Sequence, residues 1–509
     1  MTIDCTFKKV LGMRNTTNQL ENQISTKDLI EIENEIERSM PFKLYNPTSG
    51  QRRSHPAIFS HSKSVQAAIV AHIRAKFDTK IFSMCFFTRA KKLNKFAQLL
   101  QMNQKEAIDL VVEETGKPIA EATSEVKKSI EVIQYYASEK LTPKKRFKTD
   151  STGKRFLIIP RPIGVVLAIC PFNQPIGLIV RKFAPALAAG CSVIVKPSEK
   201  SPQCALFLQN LAVQAGFDDG EYVTLLTYDH KLEISSLICD SPIDLVSFTG
   251  SEKIGQEINS LCAKKTIRVV LELGGTTPFI VLRDANLDLA ENSLVEAKFR
   301  SAGQNCLSPS VVYCHESVYS DFSDRIKLRF AKLEASLGTK NECDYGPLIS
   351  ISALNIAIKM SEDFRCAGYK LLYGGNLLNI PGYFFSPTLF EYSEESTSDL
   401  SLSEIFAPIL ILKKFSDENK LLECLRKARG GLGGFVFGQS QSQVLNVANS
   451  MRSLVVGINQ GRPTSVEIPF SGSGNCGLGS ESGQKGIEEF LELQAIAYDG
   501  FEPLIEEQK

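Results

Sequence analysis

Short apolar runs alternate with helix-like stretches in the middle of the chain, and this alternation restricts the fold more than any other feature of the sequence. The runs span 165–170, 192–195, 222–226, 244–248 and 266–271. Buried strands joined by crossover helices produce such an alternation, and strands joined in this way pair in parallel. A second alternation follows residue 274, with runs at 279–282, 310–314 and 435–437. The sequence therefore predicts an α/β fold of two doubly wound domains with a cleft between them.

The part of the chain before these strands is predicted to be helical. Residues 64–137 carry apolar side chains at three- and four-residue steps, for example at Phe96, Leu99 and Leu100, which is the period of an amphipathic helix. The segment Glu-Thr-Gly-Lys-Pro at 114–118 interrupts this period as a turn. Residues 1–42 are predicted to be a polar extension, and the pattern does not indicate its function.

Composition and charge exclude several classes of function. The chain has 58 Lys and Arg against 57 Asp and Glu, so no net field favours nucleic acid or a membrane surface. Its apolar runs are far shorter than the ~18 residues that a membrane span needs. The 13 cysteines show neither Cys-x-x-Cys spacing nor a paired Cys/His cluster, so we expect no metal site and no disulfide framework. Free thiols suit a reducing, cytoplasmic location, and the acidic residues within 1–42 are unlike a transit peptide.

Two short glycine-containing segments supply a base and a nucleophile. Glu272 lies in Leu-Glu-Leu-Gly-Gly at 271–275, and Cys306 ends Gly-Gln-Asn-Cys at 303–306. A thiol can attack a carbonyl carbon, and a carboxylate can activate the water that later releases the acyl group. A cysteine taken alone is more often a small buried hydrophobic residue. The polar, flexible residues before Cys306 favour a nucleophile, because a core thiol would have apolar neighbours.

These segments and seven further motifs, taken in order, resemble the aldehyde dehydrogenase superfamily. The further motifs are RPIGVV at 161–166, PFNQP at 171–175, KPSE at 196–199, FTGS at 248–251, EIFAP at 404–408, NQG at 459–461 and PFSG at 469–472. The resemblance implies an NAD-binding domain at 43–142 and 162–273 and a catalytic domain at 274–479. It also implies a small β element at 143–161 and 480–509, through which a homodimer or homotetramer forms.

A dinucleotide site is predicted where the run 244–248 leads into a helix. Backbone N–H groups at the helix N-terminus and the Ser251 hydroxyl can receive a pyrophosphate, and Gly250 permits close approach. Without the other motifs this segment would be an ordinary strand-to-helix turn. By the resemblance, Lys196 and Glu199 bind the adenosine ribose, and NAD is favoured over NADP because a carboxylate repels a 2′-phosphate. The remaining cofactor-binding residues that the resemblance implies are Phe248, Glu404 and Phe406.

The resemblance also implies the course of the reaction. Cys306 attacks the aldehyde, while Asn173 and the Cys306 backbone N–H stabilise the oxyanion. Hydride passes to the nicotinamide, and Glu272 activates the water that hydrolyses the remaining thioester. The product is a carboxylic acid. Asn173, taken alone, would be interpreted as a turn former before a proline.

Within the superfamily the chain looks most similar to succinate-semialdehyde dehydrogenases. Arg181, Arg300 and Ser465 match positions that bind the substrate carboxylate, and two guanidinium groups with a hydroxyl can do so by bidentate hydrogen bonds. An isolated arginine would instead be interpreted as part of a structural or surface ion pair. Lys182, beside Arg181, is predicted to be an ordinary surface lysine.

Other functions remain open from the sequence. The substrate could be another short acidic or hydroxylated aldehyde, namely glutarate semialdehyde, lactaldehyde or phosphonoacetaldehyde. A CoA-acylating enzyme is disfavoured because Glu272 supplies the water-activating base that such enzymes lack. A catalytically weak NAD-binding homologue is disfavoured by the intact Cys306, Glu272 and Asn173. The chain departs from the family pattern at Phe172, Thr276 and Ser480–Ser482, and Ser308 stands where a second cysteine can accompany the nucleophile.

Overall fold

A computed structural model describes residues 44–51, 63–80, 85–226, 230–335, 343–393 and 404–499. The polar extension predicted at 1–42 lies outside the described residues. Among the described helices, none combines the length and the apolar character needed to cross a bilayer. The same residues contain no cluster of three or more His, Cys, Asp or Glu side chains arranged to hold a metal ion.

Helices and strands alternate through most of the described chain. The helices are α1 Lys63–Lys80, α2 Phe86–Met102, α3 Gln104–Thr115, α4 Ile119–Tyr136, α5 Gly177–Ala189, α6 Pro202–Ala215, α7 His230–Asp240, α8 Glu252–Ala263, α9 Leu287–Phe299, α10 Glu316–Ala331, α11 Ile351–Cys366, α12 Glu418–Arg426, α13 Gln441–Ser450 and α14 Gly483–Glu488, with 3-10 turns at Glu139–Leu141 and Arg300–Gly303. The strands are β1 Arg146–Thr149, β2 Arg155–Pro162, β3 Val165–Ile169, β4 Ser192–Lys196, β5 Tyr222–Thr224, β6 Leu245–Gly250, β7 Arg268–Leu273, β8 Pro278–Val281, β9 Val311–His315, β10 Lys370–Tyr373, β11 Thr388–Glu391, β12 Ile409–Phe415, β13 Gly430–Phe437, β14 Ser453–Ile458, β15 Ser473–Gly474, β16 Gly477–Leu478 and β17 Leu491–Tyr498.

The first sheet is doubly wound and has the order β16-β7-β6-β3-β4-β5, in which only β16 is antiparallel to its neighbour. Successive residues of β3 face opposite layers of helices. Val166 and Ala168 pack in one apolar cluster, and Val165, Leu167 and Ile169 pack in another. Because β3 and β6 are neighbours although far apart in sequence, the strand order reverses between them. Ligands of such sheets bind at that reversal, outside the carboxyl ends of the strands.

The second sheet has the order β10-β11-β12-β9-β8-β13-β14, and its strands from β11 to β14 are parallel. It carries its own apolar core, which includes Phe279, Leu294 and Phe437. Strand β13 is rich in glycine. A Cβ on Gly431 would lie 2.5 Å from the Ser453 backbone nitrogen, and one on Gly433 would lie 2.5 Å from Leu307 Cδ2. The close approach of neighbouring atoms therefore requires glycine in this strand.

The third sheet is small and antiparallel, with the order β1-β2-β17. It joins the segment before the first doubly wound sheet to the end of the described chain. Residues Glu492 to Ala497 of β17 are all exposed, so neither face of that strand is covered by the rest of the described chain. Leu493 is 73% exposed and Phe147 of β1 is 43% exposed.

The predicted α/β fold of two parallel-sheet domains is confirmed, and most predicted strands are found within a few residues. Strand β6 continues through Thr249 and Gly250, which the sequence placed in the following turn. Strand β13 begins at Gly430, earlier than the apolar run at 435–437 indicated. The domain limits given from the resemblance stay a prediction.

Candidate active site

Cys306 lies on a tight loop at the end of α9. The loop begins with a 3-10 turn in which Ser301 and Ala302 have φ angles of 52° and 55°. Left-handed backbone costs a non-glycine residue ~1 kcal/mol or more. Gly303 follows with φ 80°, and a Cβ there would lie 2.2 Å from the Ala407 carbonyl oxygen. Only glycine fits at that position.

Hydrogen bonds from neighbouring segments hold the loop in this conformation. The Ser301 N–H donates to Glu121 Oε2 at 2.8 Å, and Gln304 Nε2 donates to the Ser301 carbonyl at 2.9 Å. The Ile349 N–H donates to Gln304 Oε1 at 3.0 Å. The glutamine of the predicted Gly-Gln-Asn-Cys motif therefore anchors the turn that carries the cysteine.

The Cys306 thiol is neutral at pH 7 in this state. The residue is partly exposed through a pocket, but protein atoms surround the sulfur, and this burial raises the pKa of Cys306 to about 12. The nearby Arg181 and Arg300 guanidinium groups lower that pKa, while the Glu272 carboxylate raises it. The arginines therefore favour the thiolate, and the carboxylate favours the thiol.

Glu272 is a buried carboxyl group without a fixed partner. It lies in β7, between β6 and β16, and is 3% exposed. Within the described residues neither of its side-chain oxygens accepts a hydrogen bond. Burial, and then the charge of Glu481, raise the pKa of Glu272 well above its usual range, while Lys182 and Arg181 lower it. A carboxyl group of raised pKa that is free of partners can exchange a proton with water.

The prediction that Lys182 is a surface lysine is wrong. Its side chain is fully buried, and its Nζ contacts Glu481 Oε1 at 2.6 Å and Ser247 Oγ at 3.1 Å. The second Glu481 oxygen lies 3.9 Å from Arg181 Nη1. The chain reaches this arrangement because α5 is buried nearly all round, so a lysine in it has no route to solvent. Lys182 and Glu481 therefore form a buried ion pair beside Glu272.

Asn173 lies on the loop after β3 and contacts the loop that carries Cys306. Its side-chain Nδ2 donates to the Gln304 backbone carbonyl at 3.0 Å, and its backbone carbonyl accepts from Lys117 Nζ at 2.7 Å. Lys117 also pairs with Glu125 at 2.6 Å, and both of these residues are buried. Glu125 in turn accepts the backbone N–H groups at the start of α5. This network fixes the asparagine amide near the cysteine loop.

One pocket brings together Cys306, Arg181 and Arg300. Its remaining wall comes from α4 and from the segment that contains Thr464 and Phe470. The Arg181 guanidinium lies over the Phe470 ring at 5.0 Å from the centroid, which holds the side chain along the wall. Two of the three residues predicted to bind a substrate carboxylate thus lie beside the predicted nucleophile.

Ser465 does not line this pocket. It is exposed, and its hydroxyl accepts the Glu467 N–H at 3.4 Å. The adjacent Thr464 lines the pocket instead. A role for Ser465 in binding substrate stays a prediction.

The predicted adenosine and pyrophosphate residues lie at the carboxyl ends of neighbouring strands. Lys196 ends β4 and is 1% exposed, and Glu199 follows it on the loop, where Glu199 Oε2 accepts from Ser198 Oγ at 3.2 Å. Ser251 precedes α8 and makes no capping hydrogen bond, so the helix N-terminus is open to an anion. The Phe248 ring fills the space beside Gly250. A Cβ on Gly250 would lie 2.4 Å from Phe248 Cζ.

Glu404 and Phe406 lie on the segment that leads into β12. A Cβ on Gly274 would lie 2.2 Å from Glu404 Oε2, so the carboxyl group rests directly on the glycine pair after β7. Burial raises the pKa of Glu404 to about 7. A hydrogen bond from the Gly275 backbone acts in the other direction and lowers that pKa. The Phe406 ring meets the Phe172 ring edge to face at 6.3 Å. Glu404 is therefore a largely buried carboxyl group held against the glycine pair.

These residues fit a dinucleotide cofactor. A Cβ on Gly255 would lie 2.3 Å from Leu273 Cδ2, so α8 can approach the sheet closely enough to place its N-terminus over the strand ends. The exposed Ser251 and the reversal between β3 and β6 lie at the same edge of the sheet. NAD or NADP bound there would supply a hydride acceptor.

Sequence reasoning missed the charged groups that position the predicted ones. These are Lys117, Glu125, Lys128, Lys182 and Glu481, which come from segments far apart along the chain. One signal was available, since Lys182 lies in a helix whose other positions are almost all apolar. The remaining contacts depend on how separate helices and loops pack against each other, which no local pattern reports.

Comparisons with known proteins agree with this geometry. The family model described as the aldehyde dehydrogenase family matches residues 35–496. The chain is 35% identical over 413 residues to the glutarate-semialdehyde dehydrogenase of Pseudomonas putida, a match that covers 80% of this chain and 84% of that protein. It is 34% identical over 411 residues to an NADP+-dependent succinate-semialdehyde dehydrogenase of Escherichia coli, again covering 80% of this chain and 84% of that protein.

Solved structures agree as well. An NADP-dependent enzyme of Escherichia coli superposes with a TM-score of 0.85 at 30% identity, covering 90% of this chain and 95% of that one. The succinate-semialdehyde dehydrogenase of Burkholderia pseudomallei gives a TM-score of 0.85 at 29% identity, covering 90% and 94%. The match spans both doubly wound sheets and every segment that forms the site. The chain belongs to the aldehyde dehydrogenase family.

Proposed function

We propose that this enzyme oxidises succinate semialdehyde to succinate with NAD. The observation that carries the proposal is the pocket in which Arg181 and Arg300 lie beside Cys306. A substrate with an aldehyde at one end and a carboxylate at the other would meet the thiol and the two guanidinium groups at once. Arginine is well suited to this because its planar N–H groups match a carboxylate. Relatives named as succinate-semialdehyde dehydrogenases support the same substrate.

The residues of the chain would divide the chemistry between them. The Cys306 thiol loses its proton to solvent as its sulfur adds to the aldehyde carbon, and the Asn173 amide and a backbone N–H hold the oxygen that becomes negative. NAD accepts the hydride when it is bound. Glu272 then removes a proton from a water molecule, which attacks the thioester carbon and releases the acid and the thiol. The raised pKa of Glu272 makes the carboxylate a stronger base for this step.

Glutarate semialdehyde is a second candidate, because a relative at 35% identity carries that name. The same two arginines would bind its carboxylate, one methylene group further from the aldehyde. One methylene group in a pocket is worth only ~1–3 kcal/mol, so both substrates belong in the same assay.

The arginine assignment is tested with Arg300→Ala on charged and uncharged substrates. Loss of one guanidinium group leaves the carboxylate incompletely paired, so kcat/KM for succinate semialdehyde should fall. The fall should correspond to a loss of about 2–3 kcal/mol in transition-state stabilisation. The neutral aldehyde butanal should lose much less, because it is affected only through the pKa of Cys306, which Arg300 lowers. Arg300 is the better choice because Arg181 lowers the pKa of both Cys306 and Glu272, so that removing Arg181 would slow both substrates more. An equal loss for both aldehydes would show that Arg300 is structural.

Cofactor choice is proposed to follow Glu199, because its carboxylate would meet a 2′-phosphate as a like charge. We expect kcat/KM for NAD to exceed that for NADP by about tenfold, which is ~1.4 kcal/mol. Glu199→Gln should lower the ratio of kcat/KM for NAD to kcat/KM for NADP. It should do so mainly by raising kcat/KM for NADP. Since some relatives are named for NADP+, equal use of both cofactors by the wild type is the result that would reject this preference.

A further inference from the structure

A third cation lies in the pocket that holds Cys306, Arg181 and Arg300. It is Lys128 of α4. The residues by which α4 lines the pocket are Glu125, Lys128, Ser129 and Val132. Their spacing of three and four residues is that of one helix face, so Lys128 is directed into the pocket by the helix itself. Its neighbour Lys127 lies on the exposed face.

Two of the carboxylates near the pocket are paired with buried lysines. Glu125 is the acidic residue of the lining, and it pairs with Lys117 at 2.6 Å and accepts two backbone N–H groups of α5. Glu481 lies 3.9 Å from Arg181 but only 2.6 Å from Lys182. The charges of Glu125 and Glu481 are therefore already matched.

Lys128 and Arg300 have no such partner. Within the described part of the chain, neither side chain forms an ion pair, although Glu131 and Glu121 are near enough to act on the charges. Burial lowers the pKa of Lys128, and repulsion from Arg300, Arg462 and Arg181 lowers it further, while Glu131 raises it. Arg462 itself pairs with Glu296 at 2.5 Å. The lining of the pocket thus carries three cations, and its carboxylate, Glu125, is already paired with Lys117.

We propose that Lys128 determines specificity, and that with Arg181 and Arg300 it binds aldehydes whose far end is a tetrahedral dianion, either a phosphonate or a phosphate monoester. This inference rests on the proposed function, since the aldehyde still reacts at Cys306. A carboxylate offers two oxygens and one charge, which two guanidinium groups can match. A phosphonate offers three oxygens and up to two charges, which match three cations. The enzyme therefore accepts dianionic aldehydes at least as well as semialdehydes with one carboxylate.

The test measures kcat/KM for NADH formation with three aldehydes of similar length. They are succinate semialdehyde, its analogue with a phosphonate in place of the carboxylate, and butanal. The assay is run at about pH 8, where a phosphate monoester carries close to two charges and a phosphonate, which is a weaker acid, carries between one and two. In Lys128→Met, the ratio of the phosphonate value to the succinate semialdehyde value should fall about tenfold, and butanal should be unaffected. Lys127→Met is the matched control and should leave all three values unchanged.

Two outcomes overturn the inference. One is an unchanged ratio in Lys128→Met, and the other is an equal loss for all three aldehydes, which would make Lys128 structural. A separate measurement needs no variant: methylphosphonate should compete with succinate semialdehyde in the wild type at lower concentration than propionate does. Weaker inhibition by methylphosphonate would also reject the dianion site. Failure of the proposed function looks different, because the wild type would then oxidise butanal as well as succinate semialdehyde.

Discussion

Cys306 and Glu272 share an environment that opposes their charged forms. Burial raises the pKa of both groups, and the charge of Glu272 also raises the pKa of Cys306. Both charged forms are needed, though at different steps, because the thiolate attacks first and the carboxylate acts on the thioester afterwards. Arg181 favours the charged form of both groups, Arg300 that of Cys306 and Lys182 that of Glu272, whereas Glu481 opposes the charged form of Glu272. The site therefore depends on cations placed around it.

Glu272→Gln should separate the two halves of the reaction. The thiol can still attack, so a burst of NADH should remain, while steady-state turnover should fall because no carboxylate activates water.

In the wild type, turnover should decline as pH falls through the raised pKa of Glu272, since protonation removes the base. This decline should begin at a higher pH than for an ordinary glutamate, whose pKa is about 4.3.

Rapid-mixing absorbance at the NADH wavelength measures both effects. Cys306→Ala serves as the control and should show neither burst nor turnover while it still binds NAD. If Glu272→Gln also lost the burst, the carboxylate would be required to activate the thiol.

The buried pair of Lys182 and Glu481 ties three elements together. Lys182 comes from α5, Ser247 from β6, and Glu481 from the segment between β16 and α14. Lys182→Met should leave Glu481 buried without its cation, which costs about 3–5 kcal/mol. It should also raise the pKa of Glu272 further and move the acidic limb of the kcat profile to higher pH.

Urea denaturation followed by circular dichroism, together with the kcat profile, checks this expectation. Lys485→Met is the matched control, because Lys485 pairs with Glu488 at the surface, and it should leave the unfolding midpoint and the profile in place. A Lys182→Met enzyme as stable as the wild type would show that water or another group compensates for the lost cation.

At the scale of elements, local patterns reveal the apolar strands and miss those that depend on packing. The strands β3, β4 and β6 are continuous apolar runs, so the sequence predicted them. Half of β13 was missed because glycine disfavours strands in isolation, yet Gly431 and Gly433 are needed for the close approach of neighbouring segments. The site divides in the same way. The motifs of Cys306, Glu272 and Asn173 are local, whereas Lys128 reaches the pocket only through the docking of α4.

The small antiparallel sheet is poorly covered in a single chain. Strands β1 and β17 are exposed and β2 is only half-buried, so a surface that packs on the sheet would stabilise it. We expect a homodimer or homotetramer in which another copy of the chain covers this sheet. Leu493→Glu should place a charge in that interface and shift the enzyme to a smaller species.

Light scattering at micromolar concentration distinguishes these species. Met102→Glu provides the control, because Met102 is 81% exposed and lies at the end of α2, outside the sheet. It should leave the molecular mass unchanged. A wild-type mass equal to one chain of 56.2 kDa would refute the expectation of an oligomer.

The left-handed turn at Ser301 and Ala302 has a consequence for how this enzyme can change. Each residue holds a conformation that glycine adopts freely, so glycine at either position would relieve backbone strain of ~1 kcal/mol. The same change would loosen the turn that carries Cys306. Glycine also gives the unfolded chain more freedom, so its two effects on the free energy of unfolding oppose each other. Selection against glycine at this turn would therefore act through the reaction rate.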